Sequence, residues 1–523
     1  MILQFILVSL LLIVGITYIL KSRGVRHSYL WFLMAAVVFA AWLLLLFIPV
    51  ENIRPIQIDP WFRVSGESVS LSYSINSGNW ELVFFLIGML LTFLMTASVE
   101  LSSSDRFLLW ALVIFLFAAV ILSVSADTLW SLVLGWTLLD FLIISGQILF
   151  GGPEIRLSAI LNKSVFKLMG SVFLLGATAY YSGGRLDLNI DEIPGNAQTL
   201  LFTASLLHAG IFPVALKEPK EDGSLDFLDE IFILISFTAS FSYFIRTSEF
   251  QIGLYPRIFT SIFFSLLSLV FSISWAREEN RKISILDMIA AGSLIVFFFL
   301  LREEIVFIKF WLIYVMSSVW FMVCYRISNR LLNIFPTLLI ILTSMLPFTL
   351  LTIGVRTISF QRLDLLFIVL YVSQIMMHSG LIRKIYTESG NFFELDTWLQ
   401  TMYSLGLFFF IFSISALVFR NLGSLTDEIS NWAFGFSAFF FSVITTIVLI
   451  RLDRQKDLSF ENTKISSLLY EILSFKWLFK FISFLEVRLS NIFIGLSGLL
   501  EGEGGILWSL VLIILLISIL RFS

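Results

Sequence analysis

Residues 106–150 read RFLLWALVIFLFAAVILSVSADTLWSLVLGWTLLDFLIISGQILF, and this stretch decides the fold. It contains two long apolar runs, near 107–123 and 128–150, separated by only a few residues. A helix needs about 20 apolar residues to cross the hydrocarbon core of a bilayer. The stretch therefore predicts two membrane-spanning helices joined by a short loop, with Asp140 inside the second.

The whole chain repeats this pattern. It has 523 residues, of which 58% are hydrophobic and only 14% charged, and its mean hydropathy is +0.96. An average soluble domain is roughly 25% charged. The surplus apolar surface must face lipid, so we expect an all-α integral membrane protein with about 16 transmembrane helices. Candidate spans lie near 2–20, 28–50, 80–98, 107–123, 128–150, 160–181, 198–216, 228–246, 256–275, 284–301, 304–325, 332–354, 364–382, 402–419, 432–451 and 504–521.

Composition also excludes several classes of function. The net charge of -3 gives no reason to expect a nucleic-acid partner. A single cysteine, Cys324, excludes disulfides and cysteine-ligated metals within the chain. The three histidines, His27, His208 and His378, are too few for more than a sparse metal site. No glycine-rich dinucleotide fingerprint occurs, so we expect no cofactor or redox centre in this chain.

The order of the spans predicts one large bundle and a short C-terminal part. Residues 1–451 form the predicted bundle, and 452–523 contain the predicted last span. Within the latter, 465–495 has apolar residues at helical spacing interrupted by charges, which is typical of an amphipathic helix lying along the membrane or a partner. A further buried helix is the alternative. Residues 51–79 are polar enough to form an ordered extramembrane loop. Strands are implausible in this chain, because open sheet edges cannot exist in hydrocarbon.

The positions of the positive charges predict the fate of the first apolar run and the orientation of the chain in the membrane. Positive residues follow the apolar run 2–20 instead of preceding it, so we expect a retained helix and not a signal peptide. Lys and Arg are more frequent in the loops after odd-numbered spans, which favours an N-terminus outside.

Charged and titratable residues inside the spans are the candidate functional residues, because each costs several kcal/mol in a bilayer. They are Asp140, Lys163, Lys167, His208, Asp229, Glu230, Asp287, Lys309 and His378. His208 precedes Pro213, and a proline frees backbone carbonyls at membrane depth, as in the broken helices of transporters. The two residues together predict a broken, functional helix.

Each candidate also has a structural alternative. Asp140 is equally compatible with a hydrogen-bonded structural carboxylate. The lysines at 163, 167 and 309 lie near span ends, from which a long side chain reaches the interface. Asp229 and Glu230 suit the start of a helix. The remaining three also have structural interpretations: a satisfied core position for His208, pairing with Arg281 or Lys282 for Asp287, and a structural role for His378.

The motifs between Ser125 and Arg246 resemble a known family, the proton-conducting antiporter-like membrane subunits of respiratory complex I (NADH:quinone oxidoreductase) and their Mrp antiporter relatives. The run from Ala126 through Gly135-Trp136 is similar to the family's "ADNLLLLFLGWE". His208 to Pro213, with Pro219 after it, is similar to "KSAQFPFHVWLPDA" on the family's first broken helix, and Tyr243 falls on a recurrent tyrosine.

The resemblance continues along the chain. Residues 281–292 are similar to "KRxLAYSTxSxxG", and Leu346-Pro347-Phe348 is similar to the "GLPPF" of the second broken helix. The number of spans and the amphipathic segment before the last one are most similar to the long, distal subunit of complex I. The resemblance therefore implies two broken helices, at Pro213 and Pro347, and a C-terminal lateral helix.

At several positions the chain departs from the family pattern. The family glutamate after Gly-Trp is here Thr137, and Asp140, three residues later, is the carboxylate that replaces it. The family lysine of the first broken helix is His208, and the titratable residue of the next helix is Ile233. The lysine after the second break is missing, with Arg356 the nearest cation, and Lys309 is a substitute for the lysine of the central helix.

The resemblance implies a function. It implies a multi-pass protein of the cell (inner) membrane, partnered by other membrane subunits and the lipid bilayer, that moves protons or monovalent cations. The implied path contains Asp140, His208, Lys163, Lys167 and Lys309. Two alternatives stay open: the membrane half of an ion or inorganic-carbon uptake system with the same fold, and a structural scaffold without a conducting path.

Overall fold

The structure, a computed structural model, describes most of the bundle. The described residues are 2–49, 53–64, 67–96, 106–150, 157–181, 189–193, 197–211, 226–246, 254–301, 305–325, 332–355, 365–387, 397–421 and 430–454. The chain divides into one unit of Met1–Phe212 with Lys217–Leu458 and a second of Pro213–Leu216 with Ser459–Ser523. All described residues belong to the first unit.

The architecture of this unit is helical. The helices are α1 (Ile2–Ser22), α2 (His27–Phe47), α3 (Trp80–Thr96), α4 (Arg106–Ser125), α5 (Leu129–Phe150), α6 (Leu157–Tyr181), α7 (Gln198–His208), α8 (Asp226–Phe241), α9 (Leu254–Arg277), α10 (Arg281–Leu301), α11 (Ile305–Cys324), α12 (Ile334–Leu342), α13 (Leu350–Val355), α14 (Leu365–Thr387), α15 (Thr397–Arg420) and α16 (Ser430–Arg454). Short 3-10 turns lie at Ile190–Glu192 and, directly after α8, at Ser242–Ile245.

The predicted all-α membrane fold is confirmed. Ten helices in the described part of the chain are long and apolar enough to cross a membrane, and shorter apolar helices accompany them. Every predicted span from 2–20 to 432–451 contains described helix. The sixteenth, 504–521, lies outside the described residues, as do the amphipathic segment 465–495 and Pro213.

Burial separates central from peripheral helices. In α8, α10 and α11, 89% of the apolar membrane-length segment is buried inside the protein, whereas in α1 and α9 the buried share is 39%. A helix that is apolar all round and buried lies in the middle of a bundle, and one that is apolar but exposed faces lipid or another chain. The candidate polar residues of α5 to α8 therefore lie beside the central helices.

The loop 51–79 contains a feature that the sequence did not predict. Strands β1 (Ile56–Val64) and β2 (Glu67–Tyr73) form an antiparallel hairpin with an irregularity between Ile58 and Phe62. The expectation that the chain has no strands was therefore wrong for this loop. The argument against open sheet edges applies only inside hydrocarbon. Outside it, water satisfies the free edges.

A partly buried ion pair fixes the hairpin to the bundle. Arg246, after the 3-10 turn that follows α8, donates to Asp127 Oδ1 at 2.6 Å and to the carbonyl of Ser74 at 3.1 Å. The hydroxyls of Ser72 and Ser74 donate to the two oxygens of the same carboxylate. Burial beside this cluster raises the pKa of Tyr73 to about 12. The contacts of Asp127, which belongs to the "ADNLLLLFLGWE"-like run, thus hold the hairpin against the bundle.

Candidate functional site

Asp140 is a buried carboxylate on the inner face of α5. Trp136 lies one turn before it, and both are almost completely buried. Thr137, at the position of the family glutamate, is exposed, and its hydroxyl donates to the carbonyl of Leu134 at 3.0 Å. A shift of three residues turns a side chain by about 300° around the helix, so the two positions have different surroundings. Asp140 therefore places a carboxylate in the interior of the bundle, whereas the exposed Thr137 does not face the interior.

His208 is the last residue of α7 and is fully buried. Gly210 follows with a φ of +70°, a left-handed conformation that suits a glycine just after a helix. On the facing helix α6, a Cβ at Gly170 would lie 2.8 Å from the backbone nitrogen of His208 and 2.9 Å from its Cβ. The glycine therefore lets α7 approach α6 closely enough to place the imidazole in the interior.

The structure brings these two residues into contact. Nε2 of His208 lies 3.3 Å from Oδ1 of Asp140. The indole of Trp136 stacks on the imidazole with ring centroids 4.0 Å apart and an interplanar angle of 6°. Trp136 itself is held by a hydrogen bond of 3.2 Å from its Nε1 to the carbonyl of Ala239. One face of the imidazole is thus covered by a rigid aromatic ring.

The hydrogen bonds around His208 indicate where its protons lie. Nδ1 is 2.7 Å from the Ser240 hydroxyl, and that hydroxyl donates to the carbonyl of Ser236 at 2.5 Å. Ser240 therefore accepts from an Nδ1 proton. Nε2 faces Asp140, and a lone pair opposite a carboxylate would be repulsive in the low dielectric of the interior. The pair is satisfied by one additional proton, on Nε2 or on the carboxyl.

Lys167 extends this polar group toward α6. Its Nζ donates to the hydroxyl of Ser236 at 2.6 Å. Ser236 thus accepts two hydrogen bonds, one from Lys167 on its hydroxyl and one from Ser240 on its backbone carbonyl. The charges of Asp140 and Asp229 both act on the Lys167 ammonium. We call Asp140, His208, Lys167, Ser236 and Ser240 the α5–α8 polar cluster.

The other predicted path residues lie differently. Lys163 is on α6, but its side chain is outside the described set. Lys309 of α11 is an ion-pair partner of Glu81 at the start of α3, with Nζ and Oε1 2.9 Å apart and both side chains largely buried. Its ammonium is therefore paired within the protein. Ile233, which replaces a titratable residue of the family, lies on α8.

The acidic residues at the start of α8 are more than helix-start residues. Asp229 pairs with Lys282 at 2.5 Å, and Glu230 pairs with Arg281 at 3.0 Å, so α8 is tied to the start of α10. Asp287 accepts a hydrogen bond from Ser274 at 2.5 Å.

The second break is at Pro347, between α12 and α13. Phe348 has a φ of +62°, which is a strained conformation for a residue with a side chain. The backbone of α16 passes so close that a Cβ at Gly435 would overlap the carbonyl oxygen of Met345. The chain is thus helical on both sides of Pro347 and held from outside by α16.

Hydroxyls satisfy the carbonyls that this break frees. Thr349 donates to the carbonyls of Ser344 and Leu346, each at 2.6 Å, and Thr352 donates to that of Leu346. Among the described residues of the break itself, 343–349, none is titratable. The second break is neutral and internally hydrogen-bonded.

Sequence reasoning missed three residues of these sites. Ser236, Ser240 and Glu81 were not candidates, because serine and a carboxylate at a helix start are ordinary at those positions. Their partners are 69, 32 and 228 residues away in sequence. A weak signal existed: Ser236 and Ser240 lie four residues apart, on one face of a helix. Among the described residues, no group of His, Cys, Asp and Glu is arranged to hold a metal ion.

Comparisons with known proteins agree with this geometry at the level of the fold. No protein-family model matches the sequence, and no curated protein matches it either. Solved structures do match. A chain of the Mrp complex from Dietzia sp. DQ12-45-1b superimposes with a TM-score of 0.67 at 13% identity, over 100% of this chain and 63% of that chain.

Two further matches come from respiratory complexes. A chain of the membrane-bound sulfane sulfur reductase, an archaeal respiratory membrane complex, gives a TM-score of 0.63 at 14% identity, over 99% of this chain and 100% of that one. A chain of respiratory complex I from Thermus thermophilus gives 0.55 at 14% identity, over 78% and 97%.

The class of protein follows from these matches. The chain has the fold of the membrane subunits found in Mrp, sulfane sulfur reductase and complex I assemblies, and the antiporter-like resemblance seen in the sequence is confirmed at that level. It is a multi-pass membrane protein with this fold. At 13–14% identity, the matches show the fold alone.

Proposed function

We propose that this chain is a membrane subunit of a complex-I-like NADH:quinone oxidoreductase and moves protons, or another monovalent cation, through a degenerate antiporter-like path. The observation that carries the proposal is the contact of Asp140 with His208 in the interior of the bundle. Redox chemistry belongs to partner subunits, and the protein lies in the cell (inner) membrane.

The α5–α8 polar cluster supports proton transfer in physical terms. A histidine changes its protonation near neutral pH without a large perturbation, and a facing carboxylate stabilises the protonated form. The Ser240 hydroxyl donates to the carbonyl of Ser236, and Lys167 donates to the Ser236 hydroxyl. Rotation of the Ser240 hydroxyl from that carbonyl to the Ser236 hydroxyl would join His208 to Lys167 by a chain of hydrogen bonds.

A non-conducting scaffold is the second candidate, and two observations favour it. Thr137 is exposed where the family has its glutamate, and Ile233 cannot titrate. A path through this chain would then end at Lys167. Replacement of Asp140 distinguishes the two candidates, because a scaffold needs only the shape of the side chain.

The experiment begins with the assembly in its native membrane. The complex is purified through this chain in mild detergent, and its subunits are identified by mass spectrometry. Subunits that carry flavin and iron–sulfur centres support the respiratory assignment. A single soluble partner with a zinc site would instead support the inorganic-carbon uptake alternative.

Proton flux into proteoliposomes then tests the path. Asp140→Asn and His208→Ala are each expected to lower the flux by about 100-fold, the range for loss of a proton-transfer group. The exposed Thr137→Val is the matched control on the same helix and should retain the flux. An unchanged flux in Asp140→Asn would leave the scaffold as the better explanation.

A further inference from the structure

The turn between α1 and α2 carries a positive charge that the protein does not compensate. It contains Lys21, Arg23 and Arg26, followed by His27, whereas residues 1–50 contain no aspartate or glutamate. Arg23 and Arg26 are exposed, and Lys21 is half-buried. Within the described part of the chain, none of these three cations forms an ion pair. The charge of this turn is therefore available to a negatively charged partner.

Basic residues at the start of another helix are compensated. Arg281 and Lys282, at the start of α10, pair with Glu230 and Asp229. An excess of positive charge on inner loops is usual in membrane proteins, and by itself it sets only the orientation of the chain. A specific ligand needs a second feature beside the charge.

That second feature is an open notch on the exposed face of α1. Gly15 is exposed, and a Cβ built on it would meet nothing within 4 Å. The residues three and four positions away on the same face are 48–62% exposed: Leu11, Leu12, Tyr18 and Ile19. The opposite face of α1 packs against α2 and α4. Gly15 thus leaves a groove within an apolar surface.

The notch and the turn are spaced like the two ends of a lipid. A helical rise of about 9 Å separates Gly15 from Lys21. The headgroup layer of one leaflet is about 5–8 Å thick, so the notch lies beside the upper acyl chains when the turn lies among the headgroups. Tyr18 falls between them, at the interface that amphipathic rings favour. Lys21 is positioned by Phe107 of α4, with its Nζ 4.9 Å from the ring centroid.

We propose that α1 and the turn 21–26 bind an anionic phospholipid of the inner leaflet, with its phosphate on Arg23 and Arg26 and one acyl chain in the notch at Gly15. The basic turn selects an anionic headgroup, because Lys and Arg at a bilayer surface are attracted to anionic lipids. The notch selects a ligand with an acyl chain over free phosphate. The inner leaflet follows from the predicted orientation of the chain, and the site does not depend on the proposed proton transfer.

Photo-crosslinking tests the site in the intact assembly. The complex is placed in phosphatidylcholine bilayers that contain a trace of phosphatidylglycerol or phosphatidylcholine with a diazirine in the acyl chain, and mass spectrometry locates the label. Phosphatidylglycerol should label residues 11–19 at least about fivefold more than phosphatidylcholine, the preference that one basic side chain provides. Equal labelling by the two lipids overturns the proposal. So does the absence of lipid label on this face, which would mean that a neighbouring subunit covers it.

Variants separate a built site from general attraction to an anionic membrane. Arg23→Gln/Arg26→Gln keeps Lys21 and should abolish the preference for phosphatidylglycerol, whereas Arg23→Lys/Arg26→Lys should retain it. Gly15→Leu fills the notch without changing the charges, and it should lower the label to the level seen with phosphatidylcholine while the thermal unfolding midpoint stays unchanged. Gly176→Leu, at the open glycine of α6, is the matched control. Full labelling of Gly15→Leu would mean that charge acts alone, and it would overturn the site.

Discussion

The region around Asp140 and His208 and the region around Pro347 differ in their polar chemistry. Near the first, Asp140 and His208 meet in the interior, and neither oxygen of Asp140 has a hydrogen-bond partner among the described residues. At the second, threonine hydroxyls satisfy the carbonyls freed around Pro347. The first region therefore keeps titratable side chains in the interior, and the second is a neutral, hydrogen-bonded joint.

The largest expected effect tests the rigidity of the second region. Gly435→Val places a side chain against the carbonyl of Met345, where backbone and not a flexible side chain must yield. We expect a loss of about 3 kcal/mol of stability, read as a lower midpoint of thermal unfolding in detergent. Gly176→Ala, with nothing within 4 Å, is the control. An unchanged midpoint would show that the joint at Pro347 is soft.

The next effect tests how closely the first region must be packed. Gly170→Ala pushes α7 away from α6, because the new Cβ would lie 2.8 Å from the backbone nitrogen of His208. We expect a loss of about 1–2 kcal/mol together with a lower proton flux per folded protein. The same Gly176→Ala control applies. Loss of stability with full flux would mean that the position of His208 does not limit transfer.

A matched pair of hydroxyl deletions compares the regions directly. Ser240→Ala and Thr352→Val each remove two hydrogen bonds and should cost about 1–3 kcal/mol. Only Ser240→Ala should lower the flux, because it removes the acceptor of the Nδ1 proton of His208. Equal losses of flux in both variants would contradict the division of roles between the two regions.

The sequence predicted the spans and the more local features of the site. Apolar runs of the required length are a strong signal, so the fold class followed from composition and spacing. The break at Pro347 followed from its motif. The juxtaposition of Asp140 with His208 was suggested by resemblance, since nothing local shows that α5 and α7 touch.

Long-range pairing was not predictable from one sequence. Lys309 is 228 residues from Glu81, and both residues suit a helix end without any partner. Asp229 and Glu230 were attributed to the helix dipole, yet Lys282 and Arg281 pair with them. The hairpin of 56–73 was missed because a polar loop between spans carries no hydrophobic face that demands strands.

The smallest expected effect comes from a substitution that should not restore the proton flux. Thr137→Glu returns the carboxylate of the family pattern to the position after Gly-Trp, but that side chain is exposed on α5 and faces away from His208. In the Asp140→Asn background it should therefore leave the proton flux as low as in Asp140→Asn alone. The control is the single variant Thr137→Glu with the native Asp140 in place, which should keep the full flux. Recovery of the flux in the double variant would mean that a neighbouring subunit supplies the missing partner on this face, and that the path runs between chains and not only through the α5–α8 polar cluster.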